Sequence, residues 1–473
     1  MERRMIMTDL EYKNTSKNKL FMWLKNSTRA DVINIAWPVL VELLLGSLFS
    51  MIDMMMLGRI TDNGVAAASV AAVGITNQPL FIGLSLVQAL NVGGTAMVAR
   101  YLGSGKNEKI EITLKHVMLL SLMMLAIPLS ILGIMFTEPI MKFMGAQSDT
   151  LGVGKTYFKI IMIGFIFQSF SMSISASLRG IGETKIPMKI NLKANFLNVI
   201  GNALLIYGLL GFPSLGITGA AISTAISNVV ASILLFRYVI KSESIIRLNL
   251  RKPFKFDKNI MYNLIKIGVP ASLEQMALRV GVLLFVKIVA GLGTIVYAAH
   301  QISLNILSLS FQPGQAFGIA ASSLVGRSLG TKEYSLAENY AKETRKIGSM
   351  ISTFMAVIFF FFGPQLVGLY SNDPEIIKKS SIALKIIALV QPFQSSQLIL
   401  AGGLRGAGDT FWPLIATFFG AILIRVALAH IFVNICGYGL TGAWMAVFVD
   451  QFVRWLFVYV RFKTGKWKYI KLR

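Results

Sequence analysis

One acidic residue could do chemistry because it lies inside a long apolar stretch. Asp53 follows Ser50-Met-Ile and precedes three methionines in a row. A charge is costly to place in a lipid bilayer, so an acid in such a segment usually has a function. A carboxyl group here could carry a proton or bind a sodium ion. The alternative is an acid near the membrane surface that faces water.

Side-chain amides and hydroxyls in two later apolar stretches could complete such a site. Asn198 and Asn202 are four residues apart and share one helix face. Ser223 and Thr224 follow in the next stretch. Such groups often only join neighbouring helices by hydrogen bonds. If they lie near Asp53, they supply oxygen ligands for sodium or hydrogen-bond partners for its carboxyl group.

Two further acids occupy matching positions in the two halves of the chain. A P-x-x-x-E motif ends at Glu42 in the first half and again at Glu274 in the second. Arginines of a second repeated motif, Arg179 and Arg405, are the expected partners. We predict a structural or gating role for these four charges.

Other charges within the apolar stretches lie mainly in the second half. Arg279, Lys287 and Arg425 could be counter-charges or line a cleft, or they could extend toward the membrane surface. Asp450 and Arg454 are one helical turn apart and are expected to form an ion pair.

The sequence contains no motif for catalysis or for nucleotide hydrolysis. Gly154-Lys155-Thr156 resembles the end of a phosphate-binding loop, but Asp149 stands where its first glycine is required. The metalloprotease, cysteine-pair and serine-hydrolase motifs are absent. We therefore expect no enzyme activity and no cofactor. If the chain transports a substrate, a gradient of H⁺ or Na⁺ must drive the transport, because the chain has no motif for ATP hydrolysis.

Composition indicates a membrane protein with many spans. Of 473 residues, 55% are hydrophobic and only 14% are charged. The net charge of +24 lies in short blocks between apolar runs, which indicates membrane topology and no nucleic-acid partner. We predict twelve helices, at about 32–58, 66–99, 113–136, 151–177, 187–209, 216–239, 260–291, 295–326, 346–370, 380–402, 411–435 and 440–462.

The distribution of basic residues predicts the topology. With these boundaries, 35 Lys and Arg residues lie on the side of the two termini and seven on the opposite side. Basic loops stay in the cytoplasm, so we expect a multi-pass protein of the cytoplasmic membrane with both termini inside. The seven exceptions are Arg59, Lys142, Lys155, Lys159, Lys378, Lys379 and Lys385.

Internal repeats show that the chain consists of two related halves. The pattern L-R-G-x-G-[E/D]-T-x-x-P spans 178–187 and recurs at 404–413. A V-x-R-x-L-G pattern at 98–103 recurs at 325–330, at nearly the same offset. Six helices separate the copies, so the halves run parallel, around an axis normal to the membrane and with a cleft between them. The position equivalent to Asp53 is Phe285, so the acid belongs to the first half alone.

The predicted fold is all-α, with two pseudo-symmetric bundles of six helices forming a V-shaped cleft. The domain boundaries follow from the apolar runs and the basic segments. They are a cytoplasmic tail at 1–30, an N-terminal lobe at 31–240, a cytoplasmic linker at 241–258, a C-terminal lobe at 259–464 and a basic tail at 465–473.

Across about 30–465 the sequence resembles the multidrug and toxic compound extrusion (MATE) family. The features that carry the resemblance are the duplicated L-R-G motif, the run ending Met51-Ile-Asp53, and Ala298-Ala-His-Gln-Ile302 leading into Ser308–Gly314. The resemblance implies two six-helix lobes in a V and efflux in exchange for sodium or protons.

The resemblance also implies where the ion binds. The family's helix-1 acid matches Asp53, its helix-5 asparagine matches Asn198, and its helix-6 threonine matches Thr224. One branch has a second acid in helix 5, where this chain has Asn202. Another branch uses acids in helices 7 and 10; here helix 7 offers only Glu274, nearer the cytoplasm, and helix 10 offers glutamines. We therefore predict coupling through the N-terminal lobe, with Asp53, Asn198, Asn202 and Thr224 as the site for Na⁺ if sodium is the coupling ion.

The predicted function is an antiporter that exports amphipathic, often cationic organic compounds. Its partners would be drug-like molecules and the lipid bilayer, and it would act as a monomer. A flippase for lipid-linked oligosaccharides in the same superfamily is one alternative. An integral membrane transferase is another, although no cluster of acids and no His-Asp pair supports it. A channel is a third, which accumulation of substrate against its gradient would exclude.

Overall fold

The computed structural model describes residues 27–60, 63–241, 244–249 and 251–472. In these ranges the chain is helical, with short loops and without β-strands. Twelve long helices account for nearly all of it, as the sequence predicts.

The first six long helices form the N-terminal lobe. They are α1 (Ser27–Gly58), α2 (Asn63–Gly103), α3 (Asn107–Met135), α4 (Ser148–Gly180), α5 (Lys185–Tyr207) and α6 (Gly216–Lys241). Most of the predicted tail at 1–30 lies outside the described residues, and its last four residues belong to α1. A short helix, Thr137–Phe143, separates α3 from α4.

The other six long helices form the C-terminal lobe. They are α7 (Lys258–Ala290), α8 (Thr294–Gly330), α9 (Tyr334–Phe361), α10 (Pro374–Gly406), α11 (Phe411–Ile435) and α12 (Gly439–Lys463). Two segments of α11, Phe418–Ile424 and Ile431–Ile435, are π-helical. After α12 a single turn, Lys466–Tyr469, is the last helical element of the described residues.

Nine of the twelve long helices have both the length and the apolar composition to cross a membrane. The other three are α5, α7 and α8. Three lysines lie in the first three turns of α5, charged residues recur along α7, and α8 is rich in polar side chains. Their length and their packing against the other nine place them in the same bundles.

The turns of the repeated motif have the same geometry in both halves. Gly182 and Gly408 have φ values of 87° and 85°, a left-handed conformation in which glycine has no steric penalty. Each turn joins two helices of its lobe, α4 to α5 and α10 to α11. The internal repeat is therefore a structural repeat.

The lobes pack against each other near the chain termini. Val32 and Ala36 of α1 lie in one buried cluster with Phe317 and Leu324 of α8. A second cluster joins α2 and α3 to α7 and to Leu472 beyond α12. An ion pair and a hydrogen bond also join the lobes at this end. Arg29 contacts Glu343 at 2.7 Å, and the Tyr340 hydroxyl group donates to Asp31 at 2.6 Å.

Two repeat-related glycines bring the backbones of the lobes into close contact. Gly103 ends α2 and Gly330 ends α8. A Cβ atom on Gly103 would lie 1.9 Å from the carbonyl oxygen of Arg327, and one on Gly330 would lie 2.3 Å from that of Arg100. Only glycine allows the backbones to approach so closely.

On the opposite side of the bilayer the buried clusters each belong to one lobe. Leu57, Tyr157 and Ile217 pack within the N-terminal lobe. Phe285 and Trp444 pack within the C-terminal lobe. The lobes therefore form a V that is closed on the termini side and opens on the opposite side.

Candidate cation site

Asp53 lies in the open half of the V, a little more than one turn before α1 ends at Gly58. Its side chain is half-buried, between the lobe interior and the surface. Part of this residue is therefore accessible from outside the packed core of the lobe. Asp53 lies within a mainly apolar helix segment, and an apolar environment strengthens any electrostatic interaction there.

The two asparagines of α5 both reach the Asp53 carboxyl group. The amide nitrogen of Asn202 donates a hydrogen bond to Asp53 Oδ1 at 2.7 Å. With the Asn198 amide turned to satisfy its hydrogen bonds, its nitrogen lies 3.0 Å from each Asp53 oxygen. Because both asparagines lie on one face of α5, a single straight helix presents both amides to α1.

Helix α6 fixes the orientation of Asn198. In the same amide orientation, the Asn198 side-chain oxygen accepts from Thr224 Oγ1 at 3.1 Å and from the Thr224 backbone N–H at 3.2 Å. Ser223 Oγ donates to the backbone carbonyl of Asn198 at 2.8 Å. Gly201 makes this approach possible, because a Cβ there would lie 2.4 Å from Ser223 Oγ.

One oxygen atom of the cluster is left without a partner. Asn202 Oδ1 is buried and accepts no hydrogen bond from the described residues. A buried, unsatisfied acceptor is costly, and such groups are uncommon. Together with the two Asp53 oxygens, it supplies three oxygen atoms of the type that coordinates sodium. The same group could instead accept a hydrogen bond from a protonated Asp53.

No group of three or more His, Cys, Asp or Glu side chains suited to a metal ion occurs in the part of the chain that the structure describes. The cluster at Asp53 has one acid only, and its other polar atoms are amides and hydroxyls. Such a neutral ligand set around one carboxylate suits a monovalent ion better than a divalent one.

The four predicted structural or gating charges form one pair in each lobe. Arg179 contacts Glu42 at 2.7 Å, and Asn191 donates to the same oxygen at 2.6 Å. In the other lobe Arg405 contacts Glu274 at 2.5 Å. Each pair lies within its lobe, on the closed side of the V, and ties α1 or α7 to the repeated turn.

Asn191 is a member of this network that sequence reasoning missed. The equivalent residue in the second half is Thr417, at the offset that relates the two copies of the L-R-G motif. Its hydroxyl group contacts Glu274 at 3.4 Å. The whole network is therefore duplicated. The repeat offset was the signal that could have found both residues.

The C-terminal lobe has the opposite polarity at the place that corresponds to Asp53. Phe285 occupies the equivalent position, and the guanidinium carbon of Arg425 lies 5.7 Å from the centre of its ring. Arg425 and Arg454 both contact Asp450, at 2.5 Å and 2.9 Å. This buried cluster therefore holds two cations and one anion, and it does not favour binding of a further cation.

The comparisons with known proteins agree with the fold. The MatE family model matches residues 38–204 and 270–431. A probable multidrug resistance protein NorM of Thermotoga maritima is 30% identical over 443 residues, which is 93% of each chain. The multidrug export protein MepA of Staphylococcus saprophyticus is 26% identical and covers 90% of this chain and 91% of its own.

A solved structure extends the likeness to three dimensions. An outward-facing structure of a multidrug resistance MATE family transporter has a TM-score of 0.84 and 22% identity, and it covers 94% of this chain and 98% of its own. The twelve helices, the duplicated turn and the family model lead to one conclusion. The chain belongs to the multidrug and toxic compound extrusion (MATE) family of membrane transporters.

Proposed function

We propose that this protein is an antiporter that exports amphipathic, cationic organic compounds in exchange for H⁺ or Na⁺. The observation that carries the coupling mechanism is the half-buried Asp53 carboxyl group. It accepts hydrogen bonds from the amides of Asn198 and Asn202, and the unpartnered Asn202 Oδ1 lies beside it. Relatives named as multidrug resistance and export proteins support the substrate class.

The coupling follows from the competition for Asp53. Without an ion, the carboxylate accepts hydrogen bonds from Asn198 and Asn202 and holds α1 against α5. When a proton or sodium ion binds, the Asp53 carboxyl group accepts less strongly from the two amides, Asn202 Oδ1 becomes a partner for the ion, and the contact between α1 and α5 changes. A change in α1 alters the wall of the cleft and hence the affinity for substrate. By reciprocity, substrate must then alter the affinity for the ion.

The distribution of basic residues supports an orientation with both termini in the cytoplasm. In that orientation the V opens to the outside, and Asp53 lies on the outer side. We propose that the protein acts in the cytoplasmic membrane as a monomer, because each lobe has its own core and the cleft lies between lobes of a single chain. No catalytic step and no cofactor belong to this proposal.

The test is efflux from proteoliposomes with the two gradients imposed separately. A cationic dye is loaded, and either a pH gradient without sodium or a sodium gradient at one pH is applied. Asp53→Asn should bind the dye but lose gradient-driven transport with the effective ion. Glu108→Gln, an equivalent acid-to-amide change at an exposed residue of α3, is the matched control and should transport normally.

The proposal fails if Asp53→Asn retains full transport under both gradients. Dye movement that only follows the dye gradient, in the unaltered protein, would instead indicate a channel. Failure to move dyes together with movement of a lipid-linked oligosaccharide would indicate the flippase.

A further inference from the structure

A basic pocket lies on the open side of the N-terminal lobe, far from the repeated motifs. It is a groove of 730 Å³ between the end of α3, the short helix Thr137–Phe143 and the start of α4. Glu138, Lys142, Lys155 and Lys159 line it, beside apolar residues such as Met135. Nothing in the proposed coupling mechanism uses these residues.

The pocket carries more positive than negative charge. Glu138 contacts Lys142 at 2.8 Å and Lys155 at 2.6 Å. Hydrogen bonds from these two ammonium groups lower the pKa of Glu138 to about 2, so it is ionised at neutral pH. Lys159 lies one turn beyond Lys155 and forms no ion pair with any residue that the structure describes. Three cations therefore face one anion, and one ammonium group is available to a ligand.

An apolar groove adjoins the basic pocket on its bilayer side. Its volume is 200 Å³, and it runs between α2, α3 and α4. Its lining is apolar throughout and includes Leu132 and Ile140, the near neighbours of pocket residues Ile134 and Pro139. A ligand with an anionic head and a hydrocarbon chain could occupy both spaces at once. A small soluble anion would use only the first.

The rim of the pocket also has the character of a membrane interface. Met135, just before the short helix, is 70% exposed, and Phe143, at its end, is 86% exposed. Large apolar side chains with this exposure, next to lysines, are typical of segments that lie at the level of the lipid headgroups.

The distribution of cations over the chain singles out this location. Of the seven basic residues on the side opposite the termini, six lie near the loop between the third and fourth helix of each lobe. Lys159 and Lys385 are related by the same offset as the two copies of the L-R-G motif. On a side where basic residues are otherwise rare, this recurrence indicates a function for the charge.

We propose that the pocket binds the phosphate group of an anionic phospholipid, with an acyl chain in the adjoining groove. The Lys159 ammonium group, together with Lys155 and Lys142, contacts the phosphate oxygens. An anionic lipid is favoured over phosphatidylcholine, because the choline group carries a positive charge into a pocket that is already cationic.

The test measures lipid contact at the pocket directly. In a Cys436→Ser background, Met135→Cys carries a bimane fluorophore, and the protein is placed in nanodiscs. Quenching is compared for phosphatidylglycerol and phosphatidylcholine, each with a nitroxide near the top of one acyl chain. Stronger quenching by phosphatidylglycerol at equal mole fraction is expected. Lys159→Gln should reduce this preference about five-fold, since one lysine near a membrane surface contributes about 1 kcal/mol.

The variant Lys159→Gln leaves both ion pairs of Glu138 intact, so it tests the free cation alone. Lys193→Gln, the same change at an exposed lysine of α5 on the termini side, is the control and should keep the preference. Equal quenching by the two lipids, or equal loss in both variants, would overturn the proposal. Loss of the preference upon addition of millimolar inorganic phosphate would also overturn it and assign the pocket to a soluble anion.

Discussion

The contact between Gly103 and Gly330 predicts that a single methyl group will open the closed side of the transporter. In Gly330→Ala the new Cβ would lie 2.3 Å from the carbonyl oxygen of Arg100 and 2.9 Å from the Cα atom of Gly103. Ordinary contact begins at 3.4 Å, so α2 and α8 must separate by about 1.1 Å. Both atoms belong to the backbone, so no flexible side chain can move aside.

The magnitude follows from the cost of overpacking. Forcing one extra carbon into a packed interface costs about 1–3 kcal/mol. This contact joins the two lobes and is absent when they separate, so the cost falls on the closed arrangement only. The ratio of closed to open molecules on this side should fall by about 5- to 150-fold. In Gly103→Ala the Cβ would lie 1.9 Å from the Arg327 carbonyl oxygen, so the shift should be at least as large.

The assay is a distance measurement between nitroxide labels, one on each lobe. Lys185→Cys in α5 and Lys346→Cys in α9 are exposed and lie on the termini side. Gly330→Ala should add a longer distance to the distribution. Gly74→Ala is the matched control, because it lies in α2 with no atom within 4 Å of its Cβ position. An unchanged distribution in Gly330→Ala, in protein that melts normally, would refute the reasoning.

Two further predictions concern the cation site and the backbone. Asn202→Ala removes a hydrogen bond to Asp53 and the free acceptor, and it should weaken binding of the coupling ion about 10- to 150-fold. The ion concentration for half-maximal transport measures this loss of affinity, and Asn195→Ala, the same change elsewhere in α5, is the control. An equal effect in the two variants would contradict the role of Asn202. Lys332 has a left-handed φ of 64°, and the equivalent residue of the first half is Gly105, with a φ of 69°. Lys332→Gly should therefore raise stability by about 1 kcal/mol, seen as a higher melting temperature; a lower one would show that the side chain outweighs the strain.

The sequence predicted the features that depend on local pattern and on duplication. Apolar runs predicted twelve helices, and the repeat predicted two related halves; the repeated motif forms the same turn in both, at Gly182 and Gly408. The spacing of Asn198 and Asn202 predicted a shared helix face. The structure then places that face against Asp53. The function of this cluster in ion coupling stays a prediction.

Features that depend on how distant helices meet could not be predicted. The repeated glycines at 103 and 330 were visible, but their direct contact depends on how the lobes are docked. Arg425 was visible as a cation in a span, but its place over Phe285 depends on how α11 packs against α7. Spacing along a helix gives the face of a residue, and the partner of that face is set by tertiary packing.

The unequal polarity of the two lobes has a consequence for the electrical behaviour of the transporter. Asp53 is a lone acid in its cluster, and the matching place in the other lobe holds Phe285 under Arg425. Under the proposed coupling at Asp53, one elementary charge is exchanged at this pair of positions in each turnover. Export of a singly charged cation would then be electroneutral, and the membrane voltage would neither drive nor oppose it.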